Sequence, residues 1–304
     1  MGFLYILLAV LGIALQFSCV KWYQSRTVHA SMGSALVAEK SFFLSMVRSV
    51  FCILIFFAIL RVNNIEWAFS DFSLRAAMIM VGLATAIGLA GVMALSRGTV
   101  ATYTLFMMLG GMMLPFLAGV IFWSEPLSIF RVAGFLLLAM ALYGPVMDSK
   151  KARSTAIFFF LCFCIFMLNG GISVISKYHQ MGPFRVNELN FVLLAEMISV
   201  PVNAILWIIF KTRRGRGERR ESIQFVGVNI GIIAAYALVS GVAFLLLLRA
   251  AVTLDASVLY PLVTGGTIIT SAAAGYIFFR EKPGTYSAVG ILISVLATGL
   301  FLVG

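Results

Sequence analysis

Apolar runs of about 20 residues, each enough to cross a bilayer as a helix, recur from residue 3 to residue 303. Lipid offers the backbone no hydrogen-bonding partners, so such a run must satisfy its own N–H and C=O groups as a helix. A chain made almost wholly of these runs is expected to fold as an all-α polytopic membrane protein. Ten spans are predicted, at 3–22, 40–61, 73–96, 99–123, 127–147, 154–176, 188–210, 225–248, 255–279 and 284–303. Composition agrees: 11% of the 304 residues are charged, where a soluble domain carries about 25%. The first run has no basic flank before it and no small-residue cleavage site behind it. It reads as a span, not as a removed signal peptide.

The ten spans divide into two sets of five. Adding 156 to residues of the fourth and fifth spans pairs Gly110 with Gly266, Gly119 with Gly275 and Ile121 with Ile277. The same offset pairs Phe122 with Phe278, Glu125 with Glu281 and Gly134 with Gly290. KWYQ at 21–24 and KYHQ at 177–180 also match at this spacing, while Glu39 and Phe42 meet Glu188 and Phe191 at an offset of 149. The chain is thus expected to hold two five-helix repeats, 1–147 and 154–304, joined by a basic linker at 148–153. Five is odd, so the second repeat would enter the membrane from the opposite face. Inverted repeats of this kind place a substrate site near the midplane between the halves.

SEPLSIFRVAG (124–134) and REKPGTYSAVG (280–290) each set a glutamate before the last helix of a half, with a glycine nine residues on. In a chain of five plus five spans, this resembles the EamA-like branch of the drug/metabolite transporter superfamily, over essentially the whole length. The resemblance implies a ten-helix bundle and secondary transport of small organic solutes, commonly export, in a bacterial plasma (inner) membrane. The first and sixth spans are also similar to small multidrug resistance proteins, whose first helix carries a glutamate eight residues before a lysine. Here Ile13 precedes Lys21 and Asn169 precedes Lys177 at that distance, so no proton-exchanging glutamate carries over.

Ionisable groups inside spans are costly and ask for a reason. Arg48 lies in the second span and Glu196 in the seventh, its repeat partner. Ser41, Ser45, Arg48 and Cys52 share one helix face, as do Glu196, Ser199 and Asn203. They are expected either to line a polar cavity or to form a structural ion pair. Glu196 is the candidate carrier of a coupling proton. Tyr260, Thr264, Thr267 and Ser271 make a hydroxyl face on the ninth span, repeat-related to Thr104 and Met108 on the fourth. Tyr236 and Ser240 share a face of the eighth. These residues, with Gln16 and Asn169, form the expected substrate pathway; helix-to-helix hydrogen bonding is the other reading. Lys21, Lys177, Glu125 and Glu281 are possible entrance or gate groups, the lysines otherwise reaching the interface and the glutamates starting their helices. Met107, Met108, Met112 and Met113 could provide an adaptable wall. Gly227, Gly231 and Ala235 read as a packing stripe.

Cys19, Cys52, Cys162 and Cys164 lie in apolar runs and read as packed hydrophobes. HExxH, GxSxG and phosphate-loop motifs are absent from the sequence, so no enzyme activity, metal or cofactor is expected. The net charge of +11 is concentrated in loops, which points to orientation and anionic lipid, not nucleic acid. The expected partners are a small-molecule substrate and the bilayer, in a monomer or homodimer. A lipid-linked-sugar flippase and a non-transporting receptor subunit are the rival readings. Loops after odd-numbered spans carry 15 of the 22 Lys and Arg, which would put both termini outside; the family resemblance implies both inside.

Overall fold

The computed structural model describes residues 2–27, 33–143, 146–147, 156–213, 230–280 and 282–303. Among the described residues stand ten α-helices and no strand. They are α1 Gly2–Thr27, α2 Ser34–Val62, α3 Asp71–Leu95, α4 Val100–Phe122, α5 Ile129–Ala141, α6 Ala156–Met181, α7 Glu188–Arg213, α8 Ile230–Thr253, α9 Ala256–Phe279 and α10 Thr285–Val303. Nine of them, all but α5, are long and apolar enough to cross a membrane. Their surfaces agree. Leu4, Leu7, Leu8, Leu11 and Leu15 of α1 face outward, while Glu39, Lys40, His179, Asn190 and Glu196 are buried. This reverses the pattern of a soluble protein and suits a lipid surround. The chain is an integral membrane protein.

The fifth predicted span, 127–147, is corrected. Ser128 caps α5 by accepting a hydrogen bond from the Arg131 backbone N–H, and the helix ends after 13 residues with Leu142 as its C-cap. That is about 20 Å of helix at 1.5 Å per residue, against a hydrocarbon core of roughly 30 Å. Other helices exceed the expected bounds: α2 begins at Ser34 and α6 runs to Met181. Hydropathy marks only the apolar centre, and good helix formers such as Ala35, Leu36, Glu39 and Lys40 extend it.

Helix α2 lies along α7, α5 along α10, and α4 against α9. Helix α1 packs on α8 and α9; α6 packs on α3 and α4. One apolar core joins α2, α3, α7 and α8 around Phe56, Ala77, Phe191 and Leu248. A second joins α1, α4, α9 and α10 around Val10, Met112, Leu259 and Phe301. Helices α4 and α6 touch backbone to backbone. A Cβ on Gly170 would stand 2.6 Å from the Gly110 carbonyl oxygen, and one on Gly110 would overlap that of Phe166. Gly170 of the NGG stretch serves this close approach, whereas a Cβ on Gly171 would meet the Leu83 side chain of α3. The expected stripe at Gly231 does not: nothing lies within 4 Å of a Cβ built there, and Gly227 lies outside the described residues.

Candidate functional site

Arg48 on α2 and Glu196 on α7 meet because those helices run alongside each other. The contact is bidentate: Nη1 lies 2.8 Å from Oε1 and Nη2 donates to Oε2 at 2.9 Å. Nη2 also donates to Ser49 Oγ at 3.3 Å. A planar guanidinium matches a carboxylate in this geometry, which a lysine could not do. The side chains are 20% and 10% exposed, and the exposure is to a cavity.

That cavity has a volume of about 360 Å³, within the range of small-molecule pockets. Gln16, Arg48, Thr85, Glu196, Asn203 and Tyr236 supply its polar wall; Phe42, Met80 and Phe244 are among its apolar groups. A second compartment of about 280 Å³ adjoins it and shares Gln16, Ile172, Ser240 and Phe244. Met107, Met108, Asn169, Tyr260, Thr264 and Thr267 line the second compartment. Its polar groups are mixed in status. Asn169 Nδ2 donates to the Met107 carbonyl at 2.7 Å and Tyr260 OH to that of Ser173 at 2.6 Å. Thr267 Oγ1 is buried with no hydrogen-bond partner, an unsatisfied group on the wall of a cavity.

Eleven expected pathway residues thus surround two adjoining spaces: Gln16, Arg48, Met108, Asn169, Glu196, Asn203, Tyr236, Ser240, Tyr260, Thr264 and Thr267. Thr104 and Ser271 do not line these compartments. The methionine cluster divides: Met107 and Met108 face the cavity, whereas Met112 is buried in the core. Thr85, Ile172 and Phe244 were not singled out in the sequence, and Phe42 only as a repeat match. Apolar wall residues look like any packed residue of a span, and a lone threonine has no spacing signal.

The proposed entrance groups are placed differently from expectation. Glu125 does not start its own helix. Its carboxylate accepts from the backbone N–H groups of Ala256 and Ser257, each at 2.7 Å, and so caps α9. Lys177 is buried and does not extend to an interface. Its Nζ donates to the carbonyls of Ala251 at 2.8 Å and Leu254 at 2.5 Å, at the carboxyl end of α8. An anion at a helix start and a cation at a helix end both match the helix dipoles. Arg131 adds Nη1 contacts to Asp255 Oδ2 and Ser257 Oγ, both at 3.1 Å. Three charged side chains therefore grip the short junction between α8 and α9. Lys21 stands over the Phe279 ring at 4.4 Å, and Glu281 lies outside the described residues. His179 is buried at the same end of the bundle as the junction, 2.8 Å from Ser73 Oγ and stacked on Phe191. Among the described residues no group of His, Cys, Asp and Glu could hold a metal ion.

No family model matches the chain, and no curated protein matches it. Solved structures do match. One, described only as "Crystal structure of protein", superimposes with a TM-score of 0.71 over 98% of this chain and 94% of its own, at 14% sequence identity. At that identity the likeness shows the fold alone.

Proposed function

We propose that this protein is a secondary transporter of a small organic solute, working by alternating access between two inverted five-helix repeats of the EamA-like type. The single observation that carries this reading is the ion-paired cavity between the helices. A cavity bearing charge inside a membrane protein marks a solute or ion path. The repeat is supported by backbone features as well as by letters. Ser124 and Arg280, 156 apart, are two of three non-glycine residues with positive φ among the described residues, at 52° and 54°. Helices α4 and α9 start 156 apart, and so do α5 and α10. Exchanging α1–α5 for α6–α10 maps the α1 contacts with α8 and α9 onto the α6 contacts with α3 and α4. Two similar halves of opposite orientation can rock between two near-equivalent states around one site.

In this reading the cytoplasmic or plasma (inner) membrane of a bacterium is the setting, and no cofactor takes part. Among the described residues, Glu196 is the one acidic side chain on the walls of the two compartments. A coupling proton would reside there, and binding it would loosen Arg48. The test is solute counterflow in liposomes holding the purified protein. The panel contains dipolar, anionic, cationic and neutral solutes, with and without a pH gradient. Exchange of any solute class is expected, and Glu196→Gln is expected to abolish its response to the gradient. A folded protein that exchanges nothing would overturn transport; a variant with the full pH response would remove Glu196 from coupling.

A further inference from the structure

We propose that the Arg48–Glu196 pair sets which charge the cavity accepts, and that the native cavity selects solutes of zero net charge carrying one anionic and one cationic group. This deepens the transport reading and rests on it. Among the described residues, Arg48 and Glu196 are the only charged side chains lining the two compartments. They are in bidentate contact, so their charges sum to zero. Lys177 and Glu125 are bound to helix ends and line neither space. Arg48 and Lys177 therefore do not by themselves favour an anionic solute.

A charged solute must lose water to enter the cavity, and a free counter-charge is what offsets that loss. An anion could take Arg48 only by displacing Glu196, which would be left unpaired. A cation could take Glu196 only by stranding Arg48. A dipolar solute avoids both penalties: its anionic group takes the guanidinium while its cationic group takes the carboxylate. The one internal pair is exchanged for two pairs with the solute, with no charge left over. Tyr236 and Asn203 stand beside the pair, and the adjoining compartment with Met107 and Met108 receives the apolar remainder.

The test uses two matched triads that differ only in their ionic groups. One is leucine, 4-methylpentanoate and 3-methylbutylamine; the other is phenylalanine, 3-phenylpropionate and 2-phenylethylamine. Calorimetry on the detergent-purified full chain gives the binding order, and counterflow in liposomes gives transport separately. The native protein should bind the dipolar member of a triad about tenfold tighter than the others. Glu196→Gln should shift the preference to the carboxylate, and Arg48→Gln to the amine. If a single variant fails to fold, the charge-swapped Arg48→Glu/Glu196→Arg protein, still neutral, should keep the dipolar preference. Native preference for the anion or the cation overturns the proposal. So does binding of none of the six probes, an unchanged order in folded single variants, or a lost dipolar preference in a folded swap. Binding in the stated order without counterflow overturns the transport reading and leaves the charge rule standing.

Discussion

Glu125 accepts hydrogen bonds from two backbone N–H groups that lie 131 and 132 residues away in the chain. Its role was not legible in the sequence, because its partners are backbone atoms with no letter of their own. The sequence placed it at the start of its own helix, whereas it caps the start of a different one. Arg48 and Glu196 were legible as neighbours, because each is a costly residue in its own span and their spans are repeat partners. Which of the two readings offered for them holds was less so, since the ion pair and the cavity wall coexist. Glu125→Ala leaves Ala256 and Ser257 without their acceptor, in a charge-assisted arrangement, and should destabilise the protein by about 1–3 kcal/mol. Glu125→Gln retains one acceptor oxygen and should lie between. Thermal unfolding in detergent reads both; an unchanged Tm in the alanine variant contradicts the capping role.

At the scale of helices, the apolar runs announced all ten elements, nine of them long enough to span, because hydropathy reports the one requirement every span shares. It failed at the ends. The polar first turns of α2 and the last turns of α6 are helical but not apolar, and α5 is shorter than its apolar run. Helix pairing could be anticipated only as far as the repeat goes. The backbone contact of α4 with α6 depends on Gly110 and Gly170 meeting, whereas Gly231, in an equally plausible pattern, faces open space. Gly170→Ala should therefore cost about 1–3 kcal/mol through overpacking. Gly231→Ala should leave stability unchanged or raise it, since alanine is the better helix former by about 1 kcal/mol. Parallel melts of the two variants check this; equal loss in both would mean that the α4–α6 approach is not as close as described.

At the scale of the molecule, two apolar cores flank a polar, ion-paired space, and charged residues fasten the α8–α9 junction at one end of the bundle. The lipid-facing surface is apolar, so the cavity is where the polar side chains of neighbouring helices converge. In the proposed alternating-access cycle this junction would loosen in the opposite state. Lys177→Met, which removes the contacts to Ala251 and Leu254, should raise labelling of a cysteine placed at Asp255 by a membrane-impermeant maleimide in a cysteine-free background. Labelling no faster than with Lys177 present would show that the lysine does not hold the junction closed.

Ser240 lines both compartments, so a tryptophan there would fill the space they share. The most direct measurement compares solute counterflow by the native protein and by Ser240→Trp, reconstituted side by side after matched melts. The account predicts exchange by the native protein and its loss in the variant. Equal exchange by both would mean that solute does not pass through this cavity, and no exchange by the folded native protein would mean that this is not a transporter.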